Sequence, residues 1–456
     1  MSNMENELRE ENKMGVMPVN RLLLTMSLPM MASMLVQALY NIVDSIFVAR
    51  ICEDALTAVS LAFPLQTLTI ALAGGTAVGI NAILSRSLGE KEYANANKAA
   101  TNGIFLSAMC YLVFLIIGLF FVEPYYKSLS DNPTIVSYGI DYMTVVCTCS
   151  FGIFAQFIFE RLLTSTGRTF YTMITQSTGA IINIILDPIF IFGLLGAPKL
   201  GVKGAAVATV IGQIVAASLA YLFNVKKNPD INISMKGFRP DGKMIAEIYK
   251  IGIPSIIMQA IGSVMNYVMN KILISFSDTA AAVFGVYYKL QSFIFMPIFG
   301  LNGGMVPIIA FNYGARRKDR MMLTWKLAWA YATIIMLVGT IAFELIPGTL
   351  LGLFDASETM LGIGVPALKI IGVHFPVAAF CIVAGTMFQS LGKSIYSMVT
   401  SIMRQIVVLL PAAYLLSLLG DVTYVWWAFP IAEVMSATVT IIYFIRLNKN
   451  ILSKMD

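Results

Sequence analysis

The chain has 456 residues, 58% hydrophobic and 12% charged, with a net charge of +6 and a mean hydropathy of +0.78. Soluble domains carry about 25% charged residues, so this composition excludes a water-soluble globule and predicts a polytopic protein embedded in the lipid bilayer. Apolar runs of roughly 20 residues suit membrane helices rather than barrel strands of about 10, which makes the expected fold class all-α. Cys52, Cys110, Cys147, Cys149 and Cys381 have no metal-ligand spacing, and the basic residues lie mostly in loops, which argues against a nucleic-acid partner.

Residues 1–20, including Glu5, Glu7, Arg9, Glu10, Glu11 and Lys13, are polar and mixed in charge. They read as a flexible cytoplasmic tail without a cleavable signal. Spans are predicted at about 21–48, 56–84, 98–122, 134–163, 171–195 and 201–224, forming an N-terminal lobe over 21–225. A polar linker over 226–246 follows, with turns at Asn228-Pro229-Asp230 and Pro240-Asp241-Gly242. Six more spans, at about 247–275, 280–310, 322–345, 360–388, 394–418 and 423–446, form a C-terminal lobe over 247–449 and leave a tail at 450–456. Arg86, Lys91, Arg168, the lysines of 226–243 and the run Arg316–Arg320 lie on one side, against Arg50, Lys127, Lys199 and Lys203 on the other. By the positive-inside rule both termini are cytoplasmic.

The two halves align 225 residues apart (254 − 29): Pro29 with Pro254, Asn41 with Asn266, Leu65-Gln66 with Leu290-Gln291, Gly79 with Gly304, Gly89 with Gly314, Gly167-Arg168 with Gly392-Lys393, and Tyr171 with Tyr396. Such a repeat predicts two pseudo-symmetric six-helix bundles about an axis along the membrane normal, with alternating access by rocking of one against the other. The paired Asn41 and Asn266 read as structural helix–helix hydrogen bonds. The differences between repeats carry the functional signal. Gln37, Asp44, Tyr142, Glu160, Asn183 and Asp187 correspond to Gly262, Met269, Ala367, Gly385, Val408 and Ala412. The buried acids are thus confined to the first lobe.

The central stretch is Asn183-Ile184-Ile185-Leu186-Asp187-Pro188. A carboxylate in hydrocarbon is costly, so an intramembrane Asp is a functional-site hypothesis by default. Pro188 removes a backbone donor and is expected to loosen the helix beside it. Asp44 and Asp187 each sit roughly 30 Å along their helices at about 1.5 Å per residue, in the outer half of the lobe. At similar height they can share a proton, or with Asn183 offer hard oxygens to Na⁺. The reading without function places Asp44 at the interface near Arg50.

Glu160 lies nearer the cytoplasm and can attract a cationic substrate, or simply pair with Arg161. Tyr142, on the same expected helical face, suits cation–π contact. Glu433, Lys271 and His374 read as structural, and Arg404 has no evident partner. The methionines of the first and seventh helices (Met30, Met31, Met34, Met258, Met265, Met269) offer an adaptable surface or ordinary packing. With one histidine, no nucleophile elbow and no phosphate loop, an enzyme is not expected, and no cofactor is called for.

The stretches 38–44 (ALYNIVD), 183–193 (NIILDPIFIFG) and 201–206 (GVKGAA) resemble the multidrug and toxic compound extrusion (MATE) family, over nearly the whole chain. The resemblance is to its DinF-like branch, whose site residues match Gln37, Asp44, Tyr142, Asn183 and Asp187. Some relatives carry Asn at the position of Glu160 and others Glu. The acids that the NorM-like branch places on helices 7 and 10 are not apparent, which argues against a coupling site in the second lobe. The family implies a V of two bundles in the cytoplasmic membrane, monomeric. It would export cationic or amphipathic small molecules in exchange for H⁺ or Na⁺. Asp44, Asn183 and Asp187 would then couple the ion, and Gln37, Tyr142 and Glu160 bind substrate. The alternative is a lipid-linked saccharide flippase of a related fold. Phosphate would then favour basic residues in both lobes, whereas Lys271, Lys289, Lys369 and Arg404 are scattered in one.

Overall fold

The computed structural model describes residues 11–354 and 356–455, and its secondary structure there is helical throughout. The first lobe holds α1 (Val19–Ala49), α2 (Glu53–Gly89), α3 (Tyr93–Phe120), α4 (Pro133–Thr148), α5 (Phe151–Ser165), α6 (Thr169–Phe192) and α7 (Val202–Lys227). The second holds α8 (Gly242–Ile274), α9 (Asp278–Gly314), α10 (Lys318–Leu345), α11 (Glu358–Gly372), α12 (Phe375–Ser390), α13 (Ser394–Ser417) and α14 (Ala428–Asn450). Ten helical segments among the described residues are long and apolar enough to cross a membrane. Two bent pairs, α4 with α5 (43°) and α11 with α12 (50°), count as one span each and bring the number to twelve. The second break has a local cause: Pro376, in the first turn of α12, supplies no backbone donor.

Polar side chains start the helices where the chain turns. Asn132 Oδ1 accepts from Thr134 N at 2.9 Å ahead of Pro133, Ser277 Oγ accepts from Ala280 N, and Asp241 Oδ1 accepts from Lys243 N and Met244 N. The repeat-matched pair Gly167 and Gly392 takes positive φ, +86° and +74°, in the tight turn before the fifth span of each lobe. Only glycine adopts that backbone at little cost, which accounts for the match.

The lobes meet along α1, α2, α8 and α9. Their closest approaches share the halves of these helices on the side of the chain termini, hereafter the terminal side. A Cβ on Gly75 would lie 2.9 Å from Gly252 O, and one on Gly300 would lie 2.5 Å from Met31 Cα. A Cβ on Gly79 would overlap Ile248 O, and one on Gly304 would lie 2.8 Å from Ser27 N. Backbone therefore rests on backbone, and the lobes are closed on the terminal side.

A second fastening there corrects the expectation of a flexible tail. Residues 1–10 lie outside the described residues, but Lys13–Val16 is a helical turn and Met14 is fully buried. Asn12 Nδ2 donates to Thr166 O of the first lobe at 3.1 Å. From the second lobe, Asn312 Nδ2 donates to Met14 O at 3.1 Å, Arg317 Nη1 to Gly15 O at 2.6 Å, and Arg320 Nη2 to Met14 O at 3.1 Å and Met17 O at 2.7 Å. The segment bridges the lobes. The chain's other end is ordered as well, with Leu452 buried in a short 3₁₀ turn.

The linker is shorter than expected, since α7 runs to Lys227 and α8 begins at Gly242. It is tied to the first lobe at both ends, by Arg168 to Asp230 (2.9 Å) and Lys98 to Asp241 (2.9 Å). Asn41 is exposed and Asn266 half-buried, and neither amide joins a neighbouring helix by a hydrogen bond among the described residues. The structural role read for that pair does not hold.

Candidate functional site

The acids meet where α1 packs on α6 in the outer half of the first lobe. Asn183 and Asp187 are four residues apart on one face of α6, and Asn183 Nδ2 donates to Asp187 Oδ1 at 3.3 Å. The same amide lies 3.2 Å from Thr209 Oγ1 of α7. Close packing allows that reach: a Cβ on Gly212 would lie 2.6 Å from Gly179 O, and one on Gly179 2.9 Å from Gly212 O. Pro188, expected to loosen the helix beside the acid, leaves α6 continuous to Phe192.

Asp187 is fully buried and Asn183 is 3% exposed. The Asp44 carboxyl neighbours that of Asp187 across the α1–α6 contact. Two carboxylates only accept, so together they suit a shared proton or a cation. Asp44 Oδ1, Asp187 Oδ2 and Asn183 Oδ1 are left without a hydrogen-bond partner. These three buried oxygens, with Thr209 Oγ1, form a donor set that suits a proton or a small hard cation.

Tyr142 belongs to this cluster and not beside Glu160. The bend between α4 and α5 breaks the common helical face that the sequence suggested. Tyr142 is 3% exposed, neighbours Asp44 and Tyr40, and its hydroxyl accepts from Gln66 Nε2 at 2.9 Å. A buried ring is no cavity wall in this state. Tyr40, Gln66 and Thr209 were missed in the sequence. Tyr40 sits four residues before Asp44, and Gln66 recurs as Gln291 in the repeat, which made it look like scaffold.

Glu160 is 5% exposed. Its carboxylate accepts from Gln156 Nε2 (3.0 Å), Thr175 Oγ1 (2.9 Å) and Gln176 Nε2 (2.8 Å). No ion pair with Arg161 within contact distance forms among the described residues, and three neutral donors hold the carboxyl group. Gln37 is half-buried without a hydrogen bond among them. Among the described residues no hydrogen bond joins Gln37, Tyr142 and Glu160 into one group.

Elsewhere, Lys271 lies over the Tyr267 ring at 4.9 Å, and His374, just ahead of α12, places Nδ1 2.5 Å from Ile371 O at the end of α11. Arg404 gains the partner its sequence did not reveal, Glu433 Oε2 at 3.4 Å. A cavity of about 950 Å³ opens on the terminal side, lined by residues of both signs including Arg86, Lys98, Asp241, Glu247 and Arg316. It lies away from the buried acids.

A twelve-span helical protein with two pseudo-symmetric lobes and a pair of neighbouring acids inside the first is built as a secondary transporter. The chain belongs to the MatE family, whose profile matches residues 29–189 and again 254–415; it is a multi-pass protein of the cell membrane and a transporter rather than an enzyme. It is 28% identical over 433 residues to the multidrug export protein MepA of Staphylococcus aureus (strain bovine RF122 / ET3-1), covering 94% of each chain. It is likewise 28% identical over 423 residues to MepA of Staphylococcus haemolyticus (strain JCSC1435), covering 92% of each. Among solved structures it is similar to an outward-facing multidrug resistance MATE family transporter of the MOP superfamily (TM-score 0.91, 26% identity, 98% of this chain and 99% of that one). It is also similar to a MOP superfamily transporter of Pyrococcus furiosus described as having a binding pocket of reverse polarity (TM-score 0.90, 25% identity, 98% and 99%).

Proposed function

We propose that this transporter is a secondary active multidrug antiporter, exporting cationic or amphipathic small molecules in exchange for H⁺ or Na⁺. The observation that carries the reading is the facing pair Asp44 and Asp187, with one oxygen of each unpartnered inside the first lobe. Similarity to proteins named multidrug export proteins over more than nine-tenths of the chain favours this over a lipid-linked saccharide flippase.

With both termini cytoplasmic, as the basic loops indicate, the closed terminal side makes this state outward-facing. The ion enters from outside and neutralises the Asp44–Asp187 pair. Neutralisation changes the charge at the α1–α6 contact, and α1 repacks. The drug site, with Glu160 supplying negative charge, then loses its fit for the cation, which leaves outward. Reversal parts the glycine seam and the N-terminal bridge, and the ion is released inside. Only an ion that binds the two states with different affinity shifts them. A monomer suffices for this cycle, because every group it uses belongs to one chain. Dye efflux from proteoliposomes tests the reading. A pH or Na⁺ gradient drives efflux in the natural protein and fails to do so in Asp187→Asn; equal efflux by both overturns it.

A further inference from the structure

The glycine seam between the lobes follows the repeat, but the two segments that cross it are fastened differently. At the 225-residue offset, residues 12–17 ahead of α1 correspond to residues 237–242 ahead of α8, and α3 corresponds to α10 from first residue to last. Each segment docks on the opposite lobe. The N-terminal segment accepts hydrogen bonds from Asn312, Arg317 and Arg320, where α9 ends and α10 begins. Tyr331 of α10 adds a bond to Asn20 Oδ1 of α1. The linker lies along α3 instead. Asn97 Oδ1 accepts from Asn232 N at 2.8 Å, Lys98 pairs with Asp241, Asn102 Oδ1 accepts from Asp241 N at 3.0 Å, and the rings of Phe105 and Phe238 are 5.7 Å apart.

Opening of the terminal side would disturb the two clasps unequally. Asn102 is 1% exposed, and Asp241 both meets it and caps α8 through Lys243 N and Met244 N. Pulling α8 off α3 would strand a buried amide oxygen and unfasten the start of the helix. The linker has no slack to follow such a movement: it is held to the first lobe at Asp230 and again at Asp241, and α8 starts at the next residue. On the other side, the second lobe holds only backbone carbonyls of a segment that belongs covalently to the first. Once Met14 O withdraws, Asn312 keeps partners inside its own lobe, Ile308 O at 2.8 Å for Nδ2 and Arg320 Nε at 3.1 Å for Oδ1.

We propose that the lobes rock about the α3–α8 clasp, formed by Lys98, Asn102 and Asp241, while the α1–α10 clasp releases. The inference rests on the alternating access of the antiporter reading. Rotation at Asp241 keeps the linker seated in both states, and the terminal side opens from its α10 edge as a jaw does. Ile248 lies about two turns from Asp241 on the same helix. The α2–α8 crossing at Gly79 and Ile248 therefore separates less than the α1–α9 crossing at Ser27 and Gly304.

Cross-linking in the reconstituted full chain tests this. Lys98→Cys with Asp241→Cys, joined by a short reducible bifunctional thiol reagent, keeps the gradient-driven dye efflux of the same variant unlinked. Asn20→Cys with Tyr331→Cys, joined likewise, loses efflux and regains it on reduction. Efflux lost with the first link, or kept with the second, overturns the proposal. Where Asp241→Cys fails to fold, Asn97→Cys with Asn232→Cys holds the linker on α3 at another contact, with the same two outcomes. Spin labels carried by non-natural residues at the exposed positions Phe170 of α6 and Asp319 of α10 read the opening apart from export. The change in their separation on varying pH or Na⁺ survives the first link and vanishes with the second. A change abolished by the first link, or a separation already fixed in the unlinked protein, overturns the proposal. If unlinked protein moves no dye, the export reading fails while these distances still decide the hinge.

Discussion

Gly89 and Gly314, one in each lobe, lie against each other's helix in reciprocal fashion. A Cβ on Gly89 would be 3.0 Å from Ala315 N, and one on Gly314 3.1 Å from Glu90 N; Ala315 and Glu90 are themselves pseudo-equivalent. The repeat axis thus passes through the crossing of α2 and α9. The sequence match at this pair records a contact that tolerates no side chain. Gly89→Ala forces the backbones apart at a cost of about 1–3 kcal/mol to the closed terminal side. Cysteines placed on that side become more reactive to a membrane-impermeant reagent, and gradient-driven efflux falls. Gly285→Ala, where nothing lies within 4 Å, leaves both unchanged.

The N-terminal bridge predicts a related effect from different chemistry. Arg320→Ala removes donors to Met14 O, Met17 O and Asn312 Oδ1, worth about 2 kcal/mol for charged hydrogen bonds. The same cysteine-reactivity assay reports terminal-side opening. Deleting residues 1–17 gives the same direction of change, and an unaltered reactivity in both variants rejects the bridge as a fastening.

Glu160 is held by three neutral donors, with no ion pair among the described residues. Glu160→Gln keeps hydrogen-bonding capacity but removes the charge. The Kd for a cationic dye rises about 10-fold, equivalent to about 1.4 kcal/mol, and that of an uncharged analogue stays put. An equal change for both dyes assigns Glu160 to structure.

Asp241 gives a pH dependence outside the membrane. Its bond to Lys98, and then the Met244 and Lys243 amides, hold its carboxyl below the ordinary aspartate range. A depressed folded pKa contributes stability that is present above the unfolded value and lost as pH falls through the folded one. Asp241→Ala therefore lowers Tm at neutral pH, and the gap to the natural protein closes only at acid pH below the usual aspartate range.

The two-lobed architecture and the Asp44–Asn183–Asp187 set were legible because a repeat and a buried charge leave marks in sequence. Partner choice was not. Thr209 reaches Asn183 only because Gly179 and Gly212 let α6 and α7 touch. Glu433 meets Arg404 across 29 residues, with no local pattern linking them. Tyr142 was misgrouped with Glu160 because the bend at Cys149-Ser150 carries no proline to announce it. The N-terminal bridge was read as a loose tail because its fastening is backbone carbonyl to distant arginine, which composition cannot show.

The most direct test of the account is counterflow of a fluorescent cation in proteoliposomes under separately imposed pH and Na⁺ gradients. Natural protein, Asp44→Asn and Asp187→Asn are compared at equal amounts of folded protein. The account predicts efflux driven by one of the gradients in the natural protein and background rates in both variants. Gradient-driven efflux that survives in both variants would contradict it.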